Sequence, residues 1–332
     1  MSGAQTAPSE ATGAPADDYR ALTGTCGLID RSERGKLALS GSGAVEFLNG
    51  QVTNELADLH AGEGRYAAFL THKGKMLGDL RILAVGPAGS TPPQELWLDT
   101  ERVCLQALFD MIRRFKVGFD VQLHKRTLER GLLSLIGPAS AAVAGAALPT
   151  QEHASAALQV GGIEALAVRT EDGIDLICEA ADTERLAAAL RERGATPVSP
   201  GAAECLRVER GRPRYGLDID DATIPQEAGL NERAVSFTKG CYVGQETVAR
   251  LHYRGKPNRH LRGLRLKRPA ETGQELRLGE RVVGQVGSAG VSPRLGPIAL
   301  ALVRREAEPG AQVIVGETDN SAEVVELPFP AA

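Results

Sequence analysis

Hydrophobic and polar positions along the chain repeat one pattern twice and then change character. In the first round Leu37-Ala38-Leu39 reads as a strand, Gly41-Ser42-Gly43 interrupts it, and Val45, Phe47, Leu48 and Val52 line a helix. Tyr66 to Leu70, Met76 to Val85 and Glu95 to Asp99 are β-prone runs and predict further strands. Val103, Ala107, Leu108, Met111, Ile112 and Phe115 recur at helical spacing, which predicts an amphipathic helix, followed by a strand over Val117 to Leu123.

The second round opens with Leu132 to Ile136, breaks at Gly137-Pro138 and continues into an alanine-rich helix. Strands at Ala165 to Arg169 and Ile174 to Cys178 precede a helix from Thr183 to Arg193, closed by Gly194. Two rounds of strand, helix, strands and helix predict an α+β lobe of two consecutive split β-α-β, ferredoxin-like units. From Leu261 onward helical periodicity is lost. Short β-prone pieces at Leu264 to Leu266, Glu275 to Leu278, Val282 to Val286, Ile298 to Val303 and Val313 to Val315 predict a small antiparallel β-barrel or sandwich. The division expected is a tail over 1–18, the α+β lobe over 19–257 and a barrel domain over 258–332.

Composition narrows the setting. A chain of 332 residues with formal charge -4 has room for a sizeable core and no whole-molecule field favouring nucleic acid or membrane. Five cysteines, at 26, 104, 178, 205 and 241, are odd in number and form no Cys-x-x-Cys pair, so neither a disulfide framework nor a metal site is expected. No apolar run approaches the roughly 20 residues of a membrane span, and no secretion signal opens the chain. Residues 1–18 contain no Lys or Arg, unlike a transit peptide, and read as disordered. A cytoplasmic protein without membrane partners is expected.

The most informative stretch is Lys239-Gly240-Cys241-Tyr242-Val243-Gly244-Gln245-Glu246, which sets one thiol between two glycines just before a helical run. Glycines leave the sulfur uncrowded, and a helix N-terminus with Lys239 beside it favours a thiolate. The plainer reading of a free cysteine is an inert, buried small hydrophobe.

Glu209 ends a short helix stopped by Gly211 and Pro213, where a carboxylate can accept from both N-H groups of an aminopyrimidine edge. A surface ion pair with Arg207 or Arg210 fits the spacing equally well. Asp79 interrupts an apolar strand on the face of Leu77, Arg81 and Leu83, so it is either functional or paired with an arginine such as Arg81. Arg250 to Arg268 carries eight Lys or Arg and no acid, suited to phosphates, a polyglutamate tail or RNA, or simply solvated.

The run Ala234 to Glu246 resembles the signature of the YgfZ family, relatives of the glycine-cleavage T-protein implicated in maintaining iron-sulfur enzymes. Phe47 to Asn54, Arg207 to Gly216, Gly284 to Pro293 and Ile298 to Leu300 resemble the same superfamily. The resemblance implies two ferredoxin-like units and a barrel around a central pocket for tetrahydrofolate or a derivative. It places Asp79 at the catalytic aspartate of the aminomethyltransferases and Asp175 at their pterin-directed glutamate. Ala203 stands where an arginine of their substrate site falls. Cys241 is implied as a redox or transfer thiol. The ligand-binding set implied is Asp175, Glu209, Arg207, Tyr215, Asn49, Gln51, Lys239, Gly240, Tyr242, Gly244, Gln245 and Glu246. The function implied is a folate-binding factor supporting iron-sulfur assembly or repair in client or carrier proteins. Two alternatives stand beside it: a tetrahydrofolate-dependent aminomethyltransferase, and a factor binding transfer RNA through Arg250 to Arg268.

Overall fold

The computed structural model describes residues 15–317 and 319–330, which sort into two compact units. The larger comprises Arg20–Val198 and Asp220–Lys256. The smaller comprises the described residues up to Tyr19, Ser199–Ile219 and the chain from Pro257 onward. Among the described residues no helix is long and apolar enough to cross a membrane.

The larger unit holds two sheets. The five-stranded sheet runs Gly64–Leu70, Met76–Val85, Glu95–Thr100, Gly35–Ser40 and Gln122–Lys125, antiparallel throughout. Without its first edge strand this is the ferredoxin-like order, and the helices Ala44–Asn49 and Leu105–Phe115 are its crossovers. The six-stranded sheet runs Thr196–Pro197, Gly27–Asp30, Arg130–Ile136, Gly173–Glu179, Ile163–Arg169 and Ser155–Val160. Its Gly27–Asp30 strand comes from ahead of the first round and pairs antiparallel with Arg130–Ile136. The fold class is therefore α+β with two ferredoxin-like sheets, as the pattern predicts.

The differences have local causes. Val117 and Phe119 are exposed, and the strand expected over Val117 to Leu123 starts only at Gln122, because Gly118 turns the chain at φ +93°. Gly27–Asp30 and Ser155–Val160 escaped prediction, being too short or too polar to stand out. Of the tail expected over 1–18, residues 1–14 lie outside the described residues, and Ala16–Asp18 open a helix over Ala16–Gly24.

Alternation along the strands divides two apolar layers. Leu133, Leu135, Ile174, Leu176 and Cys178 pack with Leu186 and Leu190 of the Thr183–Glu192 helix. On the opposite face Leu132, Val168 and Ile177 meet Leu83 of the five-stranded sheet, with Val85 and Trp97 at the margin. The two sheets thus pack face to face.

Charge is buried in that interface. Arg81 Nη1 donates to Asp175 Oδ2 at 2.7 Å, and its Nη2 pairs with Asp99 Oδ2 at 2.7 Å. Asp99 also accepts from Arg34 Nε at 2.7 Å, and Asp175 accepts from Ser134 Oγ at 2.6 Å. Burial opposes ionisation of Asp99, but Arg34 and Arg81 together hold its carboxyl below the usual range. A buried ion pair adds little over an apolar pair of the same volume, yet removing one partner strands the other.

The smaller unit contains a closed six-stranded barrel in the order Arg259–Leu266, Gly296–Arg304, Arg281–Ser292, Glu275–Leu278, Gln312–Val315 and Ser321–Val325, the last pairing back onto the first. Leu264, Leu276, Val283, Ala299, Ala301, Val303, Val313 and Val324 fill it. Closure leaves no free sheet edge. Against the barrel lies the Pro200–Glu209 helix, capped by Ser199 and begun by Pro200 at its first turn.

Arg81→Ala is expected to lower unfolding free energy by about 3–5 kcal/mol, because Asp99 and Asp175 would keep buried charge without their shared partner. Equilibrium urea denaturation measures the loss.

Candidate functional site

The site builds outward from Asp79. The register of the Gly64–Leu70 and Met76–Val85 strands sets Ala68 opposite Asp79 and Tyr66 opposite Arg81, so Tyr66, Asp79 and Arg81 share one face. The Tyr66 hydroxyl donates to Asp79 Oδ2, and Thr100 Oγ1 donates to the Asp79 carbonyl at 2.5 Å. Arg81 does not pair with Asp79 as the spacing suggested; it is taken by Asp99 and Asp175. Burial pushes the Asp79 carboxyl up, while Tyr66 and Arg34 oppose the shift. Burial and Asp79 also raise the Tyr66 phenol, so its proton stays on oxygen. The result is a carboxyl with one oxygen held by a phenol, suited to proton transfer.

Asp175 lies in the Gly173–Glu179 strand, opposite Ser134. It is buried, with one bond to each oxygen, from Arg81 and Ser134. An ionised carboxylate accepts about four hydrogen bonds, so lone pairs remain.

Phe47 to Asn54 and Lys239 to Glu246, far apart in sequence, meet in the larger unit. Lys239 Nζ donates to Asn49 O at 2.7 Å, Asn49 Oδ1 at 2.9 Å, Val52 O at 3.0 Å and Asn54 O at 2.6 Å. The expectation that Lys239 serves the Cys241 thiol is corrected by these contacts, because its ammonium is spent on the 49–54 loop. Thr53 Oγ1 donates to Ala234 O at 2.6 Å, and Asn54 Nδ2 donates to both Tyr66 O at 2.9 Å and Arg233 O at 3.3 Å. The loop therefore ties the strand carrying Tyr66 to the segment leading into Lys239. Gln51 is half-buried, and its Oε1 makes no hydrogen bond.

Cys241 is exposed, whereas the other four cysteines are buried. Tyr242 is buried, and its ring lies 5.3 Å from Lys239 Nζ. Gly244 takes φ +87° just before the Gln245–Arg254 helix, and a β-carbon there would meet Thr71 O at 2.6 Å. Gly240 faces open space. Gln245 Nε2 reaches the Gly240 carbonyl at 3.4 Å, and Glu246 is exposed in the first helical turn. Much of this run therefore serves the fold.

Glu209 and Arg207 belong to the smaller unit. Glu209 is buried and accepts from Tyr19 Oη at 2.8 Å, from Ser292 Oγ, from Arg294 Nη2 at 3.3 Å and from Cys205 Sγ at 3.8 Å. These four donors occupy both its oxygens, and they replace the surface pair with Arg207 or Arg210 that spacing allowed. Arg207 bonds Glu204, Ser288, the Arg212 carbonyl and Asp218, the last at 2.9 Å. Tyr215 is half-buried and forms a bridge with Ile219. The basic stretch Arg250 to Arg268 is divided between the end of the Gln245–Arg254 helix and the Arg259–Leu266 strand, in different compact units. Arg262 pairs with Glu326 at 3.1 Å, and Arg268 pairs with Asp319. Among the described residues no group of three or more His, Cys, Asp or Glu is arranged to hold a metal ion.

Tyr66, Arg34 and Asp99 escaped the sequence reading. The signal was present in part, since polar residues inside otherwise apolar strands must find partners. Which partner each finds is decided by cross-strand register.

Two ferredoxin-like sheets, a closed barrel and a buried strand carboxyl define a class of α+β proteins with a C-terminal barrel. The GCVT N-terminal domain matches residues 6–239, and the glycine cleavage T-protein C-terminal barrel domain matches residues 259–330. The chain belongs to the glycine cleavage T-protein family. It is 31% identical over 340 residues to a protein of Streptomyces avermitilis named aminomethyltransferase, covering 96% of this chain and 90% of the relative. An aminomethyltransferase of Rubrobacter xylanophilus is 30% identical over 324 residues, covering 94% and 85%. The crystal structure of glycine cleavage system aminomethyltransferase T from Bartonella henselae superposes with a TM-score of 0.80 at 26% identity, covering 95% of this chain and 89% of that one. These findings correct the resemblance to the YgfZ family: family and relatives are those of the T-protein itself. They lend no support to iron-sulfur clients or transfer RNA.

Gly244→Ala is expected to cost at least about 1–2 kcal/mol for the left-handed backbone, before the clash with Thr71. Gly240→Ala is expected to stay within about 0.5 kcal/mol. Thermal unfolding of the two variants checks the contrast.

A pH effect follows from Lys239, whose ammonium burial pushes down to about 8 from 10.5, with Glu55 opposing. Between those values the unfolded chain binds this proton more firmly than the folded one, so stability rises with pH across that window. Denaturation midpoints measured between about pH 8 and pH 10 are expected to show a rise that Lys239→Met flattens.

Proposed function

We propose that the protein is a cytoplasmic, tetrahydrofolate-dependent aminomethyltransferase, moving a one-carbon unit carried as an aminomethyl group onto a folate amine. Membership of the T-protein family along nearly the whole chain supports this reading, as do relatives named aminomethyltransferase. The observation that carries it is the buried Asp79 carboxyl with the Tyr66 hydroxyl on one oxygen.

Making methylene-tetrahydrofolate forms a carbon-nitrogen bond to each of two folate nitrogens and breaks the carbon-nitrogen and carbon-sulfur bonds of the aminomethyl carrier, so the two folate N-H protons end on the departing ammonia and on the released carrier thiol. A carboxyl raised by burial can perform both transfers, accepting on the oxygen that Tyr66 does not hold and then donating. Tyr66 keeps the carboxyl oriented and supports its negative charge. Asp175 is assigned to the pterin, where its remaining lone pairs can accept N-H groups while Arg81 fixes its position. Glu209 has no acceptor capacity to spare and is assigned to holding Tyr19, Ser292 and Arg294 together. The exposed Cys241 thiol has no part in the transfer.

Asp79→Asn is expected to lower kcat by about 10²–10⁴-fold with little change in tetrahydrofolate affinity, and Cys241→Ser is expected to leave both intact. Stopped assays of methylene-tetrahydrofolate formation from an aminomethyl-loaded lipoyl carrier, with calorimetric titration of tetrahydrofolate, measure the two quantities. Wild-type protein that neither binds tetrahydrofolate nor forms the product would refute the reading.

A further inference from the structure

Beside the Tyr66–Asp79 pair stands a cation with no part in the mechanism above. Arg233 Cζ lies 5.2 Å from the centroid of the Tyr66 ring, and its Nη2 donates to Glu152 Oε1 at 2.6 Å. Such a contact places a guanidinium on the electron-rich face of a phenol. Asn54 bonds the carbonyls of both Tyr66 and Arg233 with one amide, so ring and guanidinium are presented from backbone held by a single side chain.

The other end of the ion pair is held by a strained turn. His153 follows Glu152 and is the one non-glycine residue with positive φ among those described, at 68°. Its N-H bonds the Arg169 carbonyl at 2.9 Å, and it packs so tightly on Gly64 that a β-carbon there would meet His153 Cβ at 2.7 Å. Neither ring nitrogen makes a hydrogen bond, and Nε2 stands 3.7 Å from Glu152 Oε1. Burial, with Arg81 and Arg233 adding to it, pushes the imidazole down to about 3, so it is neutral at physiological pH. Strained backbone of this kind persists only where its surroundings over-determine it. Here the turn delivers Glu152 to Arg233, and Arg233 to the phenol.

We propose that Arg233 and Glu152 are positioning residues for the Tyr66–Asp79 pair: Glu152 anchors the guanidinium, the guanidinium clamps the phenol ring, and the hydroxyl stays on one carboxyl oxygen. The other oxygen is thereby left in a fixed direction. The kinetic consequence rests on the aminomethyltransferase reading, whereas the structural consequence does not.

The test uses the full-length protein with Arg233→Ala, Arg233→Lys and Glu152→Gln, each compared with wild type by circular dichroism and thermal unfolding. In protein labelled with ¹³Cζ-tyrosine, the Tyr66 resonance, assigned through Tyr66→Phe, is expected to shift and broaden in Arg233→Ala and to return toward wild type in Arg233→Lys. In transfer assays Arg233→Ala and Glu152→Gln are expected to lower kcat about ten- to a hundredfold while KM for tetrahydrofolate changes less than about twofold, as misalignment without lost substrate contact predicts. A folded Arg233→Ala protein with an unchanged Tyr66 resonance overturns the clamp. A rise in KM with unchanged kcat overturns it as well, because Arg233 would then be a substrate contact. Should wild type show no transfer, the aminomethyltransferase reading fails, and the resonance still decides whether the clamp exists.

Discussion

One buried guanidinium, Arg81, fixes how the two sheets of the larger unit face each other. It bonds Asp99 within its own sheet and Asp175 on the other, each at 2.7 Å. Apolar contacts among Leu83, Leu132, Val168 and Ile177 supply attraction between the sheets, but such contacts tolerate sliding. A charge desolvated on both sides does not, since any shift leaves it without a partner. Asp79 stands two residues away on the same strand and face, so the constraint that orders the scaffold also orders that buried carboxyl.

Around that centre the chain spends its less common residues on fastening. Lys239 donates to oxygens of Asn49, Val52 and Asn54, and Thr53 and Asn54 reach back to Ala234, Arg233 and the Tyr66 strand. Two motifs nearly two hundred residues apart thus form one polar staple. Their distinctiveness in the sequence suggested chemistry at Cys241, and the bonds they make run from Lys239 to the 49–54 loop and, through Asn54, to the Tyr66 carbonyl. The exposed thiol is carried on this staple without taking part in its bonding.

Much of the fold was legible in the sequence. Helical spacing in Leu105–Phe115 and in Thr183–Glu192, continuous apolar character in Arg130–Ile136 and short alternating runs beyond Leu261 each announced their element. Asp79 was legible too, as an acid inside an apolar strand. Its partner was not: Arg81 is nearer in sequence, but Tyr66, diagonal to Asp79 across the register, makes the bond. Glu209 looked like a ligand-directed carboxylate at a helix end and proved to be surrounded by Tyr19, Ser292, Arg294 and Cys205, three of which come from distant parts of the chain.

By itself the sequence determined most of the segments that form strands and helices, because periodicity of burial is a local property, and it missed those too short or too polar to show one, such as Gly27–Asp30 and Ser155–Val160. It also determined the need for buried polar partners, because a charged residue in an apolar strand costs too much to leave unpaired. Only the tertiary structure decided who those partners are: Asp175 for Arg81, Tyr66 for Asp79, the 49–54 loop for Lys239. Pairing depends on strand register and on which faces meet, and these are settled by the summed packing of the unit rather than by any residue's neighbours in the chain.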